Sequence, residues 1–251
     1  MKIDSKCNLS NINHVELVVF DFDETLINCN TDDIKMLAPD GRFPEGFWCK
    51  NHIWPDYMQH VFEFLHKNGI RRDDYCRCFR TMKFVPGMID LIQNLHKGLP
   101  SKGKQFEMII ISDANSFSIT EILEQNNLIN CFRKIFTNPA KFDQDGCLRI
   151  QYYHEQNDCS LSPKNLCKGL VLNDYIQQRT NNDNVHFHRI HYIGDGSNDL
   201  CPSLRLSSND FVYPRSGYKL DELIQAKVHE LQARSIPFTN GNDIWNNIIS
   251  N

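Results

Sequence analysis

The sequence contains no run of apolar residues approaching the roughly 18 that a bilayer-spanning helix requires. Its opening stretch, MKIDSKCNLSNINH, is polar and lacks the apolar region of a secretory signal. There is no excess of positive charge. Lys and Arg number 27 against 31 Asp and Glu, giving a net charge of −4, which argues against nucleic acid or an anionic membrane as the main partner. Internal repeats and low-complexity tracts are also lacking, so neither a repeat array nor an extended linker is expected. These absences leave a cytosolic globular protein as the expectation. Disorder is expected for the polar first 14 residues, and oligomeric state stays open.

What is present suits a packed fold. The 251 residues are 41% hydrophobic and 23% charged, enough for one α/β core with a small appended domain. Ten cysteines are scattered along the chain, which favours reduced thiols over a disulfide scaffold. Cys76 and Cys78 form a CxC pair. Cys159, Cys167 and nearby His154 form a looser group. Neither has a clean four-ligand zinc spacing, so structural thiols are expected.

Apolar, β-branched runs at 16–20 (ELVVF), 106–111 (FEMIII), 189–193 (RIHYI) and 209–214 (NDFVYP) read as buried strands. Helical patterns lie between them at 86–97, 116–128 and 163–178, the first and third opening on proline as a first helical turn allows. This alternation predicts an α/β fold, a Rossmann-like parallel-sheet core with ligands at the carboxyl ends of the strands. Residues 32–83 interrupt it with helical stretches, including 56–69, and predict a small helical cap inserted after the first strand. The core then comprises 15–31 and 84–251. A strand, a turn at Asp145-Gly146 and a second strand are expected over 133–152, a loop over 98–105, and a final amphipathic helix at GNDIWNNIIS.

The sharpest chemical feature is Asp21-Phe22-Asp23-Glu24-Thr25, directly after the first strand. Alternate residues of an extended segment point the same way, so Asp21 and Asp23 can converge while Phe22 turns inward. Two such carboxylates repel and lose hydration, and need a cation, a shared proton or strong donors. Mg²⁺ suits them because it prefers oxygen ligands. An ordinary aspartate turn is the bland alternative. Gly194-Asp195-Gly196-Ser197-Asn198-Asp199 follows the third strand and places Asp195 and Asp199 at a second strand end, where glycines admit a tight turn. Ser112 ends the run FEMIII, where a hydroxyl and a following N–H can hold a phosphate oxygen, although Asp113, Asn115 or Ser116 could simply cap the next helix. Lys164 stands at the start of a helix, a position that alone is most often solvated. Together, paired aspartates, a serine, a lysine and a second aspartate cluster at strand or helix ends suit phosphoryl transfer, since a carboxylate attacks phosphorus without a base while cations offset charge.

DFDET, the serine, the lysine and GDGSND together resemble the haloacid dehalogenase superfamily of phosphohydrolases, over nearly the whole chain. FDFDETLI, ISDAN, FTNPA, PKNLCK and YIGDGSNDLCP are similar to its phosphoethanolamine/phosphocholine phosphatases and their pyridoxal-phosphate phosphatase relatives, which also carry the cap between the first two motifs. The resemblance implies Asp21 as nucleophile and magnesium ligand, and Asp23 as general acid and then base, its backbone carbonyl also on the metal. It implies Ser112 on a phosphoryl oxygen, Lys164 neutralising the phosphoaspartate, Asp195 as a metal ligand and Asp199 in support. Asp32 and Asp113 match the family's substrate contacts. Asn28-Cys29-Asn30 replaces a more acidic stretch, and Ser197 stands where Gly or Ala is common.

Acidic residues beside a phosphate site help when the substrate also carries a cation, so Asp32 and Asp113 suggest an ammonium or quaternary amine. The cap aromatics Phe47, Trp48, Trp54 and Tyr57 could add cation–π or stacking contact, or simply pack the cap. A small phosphorylated metabolite is therefore expected, either phosphoethanolamine, phosphocholine or pyridoxal 5'-phosphate. A pyrophosphatase, a phosphomutase and a catalytically silent phosphate-binding protein are the alternatives.

Overall fold

A computed structural model describes residues 14–43 and 53–251. The expectation for the first residues of the chain, and those for Phe47 and Trp48, lie outside the described residues.

Six parallel strands form the central sheet: β1 (His14–Phe20), β2 (Lys104–Asn115), β3 (Lys134–Asn138), β6 (Arg189–Gly194), β7 (Phe211–Pro214) and β8 (Arg234–Ser235), in the order β3-β2-β1-β6-β7-β8. The strands numbered between them, β4 (Ala140–Phe142) and β5 (Leu148–Ile150), make a separate antiparallel hairpin. Residue alternation fixes which face each side chain serves. Val18, Phe20, Met108 and Ile110 pack on one side, while Leu17, Val19, Ile109 and Ile111 pack on the other. The first side is covered by α3 (Met88–Lys97), α4 (Ser116–Gln125) and α8 (Gly241–Ser250). The second is covered by α5 (Lys168–Asp183) and α7 (Lys219–Ala226), with the short α6 (Leu200–Ser203) beside them. The predicted Rossmann-like α/β core is the fold found, and the C-terminal decapeptide forms the helix its periodicity implies.

Among the described residues between β1 and α3 are two 3₁₀ turns and two helices, α1 (Trp54–Lys67) and α2 (Arg72–Phe79). Their apolar stripes, including Val61, Phe62, Leu65, Tyr75 and Phe79, join the first core. The β4–β5 hairpin lies against α1: Ile150 N–H donates to Gln59 at 3.0 Å, and Arg149 bridges Glu63 and Asp143 at 2.6 and 2.7 Å. α1 thus packs against a hairpin from a separate stretch of sequence.

Two local outcomes move residues relative to expectation. β2 does not stop at Ser112 but continues to Asn115 through a bulge between Ile111 and Asn115. Asn115 then caps α4, its side chain accepting from Ser118 N–H at 3.0 Å. The helix expected from Pro163 begins at Lys168 instead. The preceding loop is held by a bridge between Glu155 and Asn165 and by Gln156, whose amide donates to the carbonyls of Cys159, Ser162 and Pro163. The carbonyl trap and the bridge consume the backbone that a helical turn from Pro163 would have used.

Candidate active site

β1 and β6 lie side by side where the chain turns from one half of the sheet to the other, the place where open α/β sheets bind ligands. Asp21 is the first residue beyond β1, and its N–H still bonds Ile193 of β6 at 2.9 Å. Its Oδ1 accepts from Phe22 N–H at 2.7 Å and from Lys168 Nζ at 2.9 Å. Lys168, fully buried at the start of α5, also reaches Asp199 Oδ1 at 2.8 Å. Burial works against the Lys168 charge, but Asp199 and Asp21 outweigh it and hold the ammonium well above its ordinary pKa.

Asp199 is saturated. Tyr192 donates to Oδ1 at 2.6 Å, while the N–H groups of Asp195 and Gly196 reach Oδ2 at 3.1 and 2.9 Å. A Cβ on Gly194 would stand 2.5 Å from the Asp199 carboxyl carbon, so only glycine lets this side chain fold back under the loop. Asp199 therefore fixes the lysine and has no lone pair to spare for another ligand. Asp195 remains available, with only one oxygen engaged by Thr25 at 2.9 Å.

The turn after Asp21 is wound tightly. Phe22 carbonyl accepts from Thr25, Leu26 and Ile27, and Glu24 adopts a left-handed backbone, φ 52°. Arg215 clamps that strained residue by its carbonyl at 2.5 Å and its carboxylate at 3.1 Å. Asp23, next to it, accepts from Thr31 N–H and Oγ1 at 2.8 and 2.9 Å. Burial, then the Asp32 charge, push Asp23 well above the usual carboxylate range against those two donors.

Asp21, Asp23, Asp32, Asp113 and Asp195 all border one cavity of about 400 Å³. Trp54 from α1 closes one side and gives its indole N–H to Asp32, while Leu161 and Pro163 supply an apolar edge. Burial and then Asp113 raise Asp32 to about 7. Asp113 is held by Asn198 at 3.0 Å, and its carbonyl by Asn138 at 2.7 Å, with Asn165 braced on Asn138 at 2.9 Å. Tyr57 lies behind Trp54, ring centroids 5.4 Å apart, rather than on the cavity wall.

Many carboxylates face a single buried ammonium here. Oxygens of Asp21, Asp195 and Asp199 lie within 4.8 Å of one another. With Asp199 committed, Asp21 and Asp195 are the side chains able to hold a cation. Burial, followed by neighbouring carboxylates, lifts Asp195 to about 7 and Asp21 well above its ordinary value. A hard divalent ion would relieve that repulsion, and an all-oxygen donor set fits Mg²⁺ better than softer metals.

Of the residues singled out from the sequence, Asp21, Asp23, Asp32, Asp113 and Asp195 border one cavity, and Asp199 sits directly beneath it. Ser112 is fully buried under the Asp113 loop, its Oγ accepting from Ala114 N–H at 3.3 Å. Lys164 does not join them. It stands on the surface, 47% exposed, paired with Glu155 at 3.2 Å. The lysine at the centre is Lys168, one of two in the same short stretch. The signal was the stripe Val171, Leu172 and Tyr175, which continues backward onto Lys168 and not onto Lys164. Thr25, Asn138 and Asn165 fall inside the stretches DFDET, FTNPA and PKNLCK without a role that the sequence assigns, and the roles of Thr31 and Arg215 become visible only in the folded chain.

The geometry agrees with what comparison finds. A family model described as "Putative Phosphatase" matches residues 16–251. The human phosphoethanolamine/phosphocholine phosphatase is 37% identical over 235 residues, covering 91% of this chain and 86% of its own. The pyridoxal phosphate phosphatase PHOSPHO2 of Bos taurus is 39% identical over 221 residues, covering 86% of this chain and 88% of its own. Among solved structures, a phosphoserine phosphatase in apo form superposes with a TM-score of 0.54 at 14% identity, over 92% of this chain and 98% of that one. That last likeness speaks for the fold.

Proposed function

The chain belongs to this family of haloacid dehalogenase-type phosphatases, and from that premise we propose that it hydrolyses a small phosphomonoester through a phosphoaspartyl intermediate on Asp21. The observation that carries the proposal is the buried Asp21–Lys168–Asp199 chain opening onto a carboxylate-lined cavity. Asp21 Oδ1 is held by Phe22 and Lys168, so Oδ2 is the oxygen that attacks phosphorus. As the P–O bond to the leaving alcohol breaks, Asp23 gives that oxygen its proton. Its raised pKa suits a group that must carry a proton near neutrality. Asp23 then removes a proton from water, whose oxygen attacks phosphorus. Phosphate leaves, and the Asp21 carboxylate is restored.

Asp21 and Asp195, with the backbone carbonyl of Asp23, would hold Mg²⁺, which supplies charge neutralisation between attacking carboxylate and phosphate. Lys168 does the same from the buried side, and the Ser112 hydroxyl, beneath the Asp113 loop, would donate to a phosphoryl oxygen. Residues 32–83 act as the cap, and residues 15–31 with 84–251 as the core, so that cap closure excludes bulk water.

The substrate we propose is amine-bearing or carries a pyridoxal ring: phosphoethanolamine, phosphocholine or pyridoxal 5'-phosphate. Asp32 and Asp113 on the cavity wall would pair with a cationic group, and Trp54 offers an aromatic face. A purely anionic substrate such as pyrophosphate would meet those carboxylates unfavourably. We take the compartment to be the cytosol, where the eight unpaired thiols among the described residues would stay reduced.

Phosphate release from these four compounds, with Mg²⁺ and with EDTA, tests the reading. Magnesium-dependent release favouring an amine or pyridoxal ester is expected, with Asp21→Asn folded and inactive. Normal turnover by Asp21→Asn would overturn the nucleophile, and preference for pyrophosphate would overturn the substrate class.

A further inference from the structure

Two cysteines flank the buried ion pair in sequence: Cys167 immediately precedes Lys168, and Cys201 follows Asp199 by two residues. Their sulfurs lie 3.6 Å apart, and Cys159 Sγ is 3.3 Å from Cys201 Sγ. These separations exceed by far the S–S bond of about 2.0 Å in a disulfide. They approach the spacing of about 3.8 Å between sulfurs that a tetrahedral zinc with Zn–S near 2.3 Å imposes.

The fourth corner of that tetrahedron is also furnished. Ser162 Oγ lies 3.2 Å from Cys167 Sγ and 3.6 Å from Cys159 Sγ, close to the sulfur–oxygen edge of about 3.5 Å that such a site would have. The loop is built to keep these groups together. Ser162 N–H bonds Cys159 carbonyl at 3.3 Å, and buried Gln156 accepts from Cys159 N–H at 2.8 Å while donating to three carbonyls of the same turn. A Cβ on Gly169 would stand 2.6 Å from both Cys201 Sγ and Arg205 Nε, so glycine admits the thiol and the guanidinium against the first turn of α5. Arg205 hydrogen-bonds Cys201 and offsets negative charge that thiolates would bring. His154 does not complete the set, because its Nε2 accepts from Cys167 N–H at 3.1 Å.

We propose that Cys159, Cys167 and Cys201 bind one Zn²⁺, with the fourth position at Ser162, filled by its hydroxyl or by water. This thiolate site differs in ligand softness from the oxygen site of Asp21 and Asp195 and does not depend on the proposed substrate. The metal would staple the 155–167 loop and the start of α5 to α6. It would thereby fix Lys168 and Asp199 from behind, and Leu161 and Pro163 at the cavity edge. Cys159, half-buried, gives the ion its way in.

The test uses the full-length chain, purified under reducing conditions. Elemental analysis is expected to find about one zinc per chain. After removal of the zinc, added Co²⁺ should give the thiolate-to-cobalt charge-transfer and strong visible bands of a tetrahedral sulfur site. Cys159→Ser should lose most of the metal and those bands, whereas Cys131→Ser, a half-buried thiol outside the group, keeps both. Asp195→Asn should keep them too, and excess Mg²⁺ should leave the cobalt bands unchanged. Wild-type protein with neither zinc nor cobalt bands overturns the proposal. So does Cys159→Ser with a wild-type spectrum, loss of the bands to Mg²⁺, or a protein whose mass shows these thiols joined as a disulfide without metal.

Discussion

A lysine with no exposed surface survives in this fold only because two carboxylates reach it. Lys168 sits between Asp21 and Asp199, and its charge is stabilised there against full desolvation. The arrangement ties stability to chemistry in a single side chain. Lys168→Ala strands two buried carboxylates and removes the cation beside the nucleophile. It should lower kcat by about 10²- to 10³-fold, and destabilise the protein by roughly 3–5 kcal/mol. Lys164→Ala, on the surface beside Glu155, should change kcat by less than about twofold and stability by less than about 0.5 kcal/mol. Steady-state kinetics and urea midpoints on the two variants decide between the lysines. Equal losses from both would return Lys164 to the site.

At the scale of elements, what could be read from the chain depended on how much of each element's evidence is local. β1, β2 and β6 are apolar runs buried on both faces, and the aspartates after β1 and β6 follow from those strand ends, so the carboxylate half of the site was legible. α8 was legible for the same reason: its stripe, Ile244 and Ile248, is complete within ten residues. The start of α5 was not, because Pro163 offers a good first helical turn and the Gln156 hydrogen bonds that forbid it come from outside the pattern. β8, two exposed residues long, has no apolar signature at all. Nor could the packing of α1 on the β4–β5 hairpin be read, since that hairpin lies more than seventy residues later in the chain.

The β6–α6 loop carries the prediction proper to this scale. Adding a methyl at Gly194 forces it into the Asp199 carboxyl, whose position sets that of Lys168. Gly194→Ala should cost about 1–3 kcal/mol in stability. It should also lower kcat at least about tenfold through misplaced Lys168, a small displacement near the chemistry being enough for that. Full activity in the variant would mean that Asp199 does not position the lysine.

For the molecule as a whole, the sheet holds a second charge cluster that the chemistry does not use. Glu16 of β1 is fully buried and meets Lys104 of β2 at 3.1 Å and His191 of β6 at 2.9 Å, with Arg189 at 4.0 Å, so three adjacent strands share one carboxylate. Burial alone would raise its pKa. His191 and Lys104 outweigh burial and bring it to about 2 from 4.5. A carboxyl with a depressed native pKa stabilises the fold above its unfolded pKa and loses that contribution as pH falls toward the native value. Glu16 should therefore contribute up to ~3 kcal/mol at pH 7, a contribution that drains away between about 4.5 and 2. His191 works in the same direction from a higher pH: burial lowers its pKa despite Glu16, so unfolded chains take up its proton first. Glu16→Gln removes the carboxylate's share alone. Urea midpoints measured from pH 7 to pH 3 should fall steeply for the wild type and less steeply for Glu16→Gln, so that the gap between the two curves narrows toward the acid end. Parallel curves across that range would show that the strands are not held together by this charge.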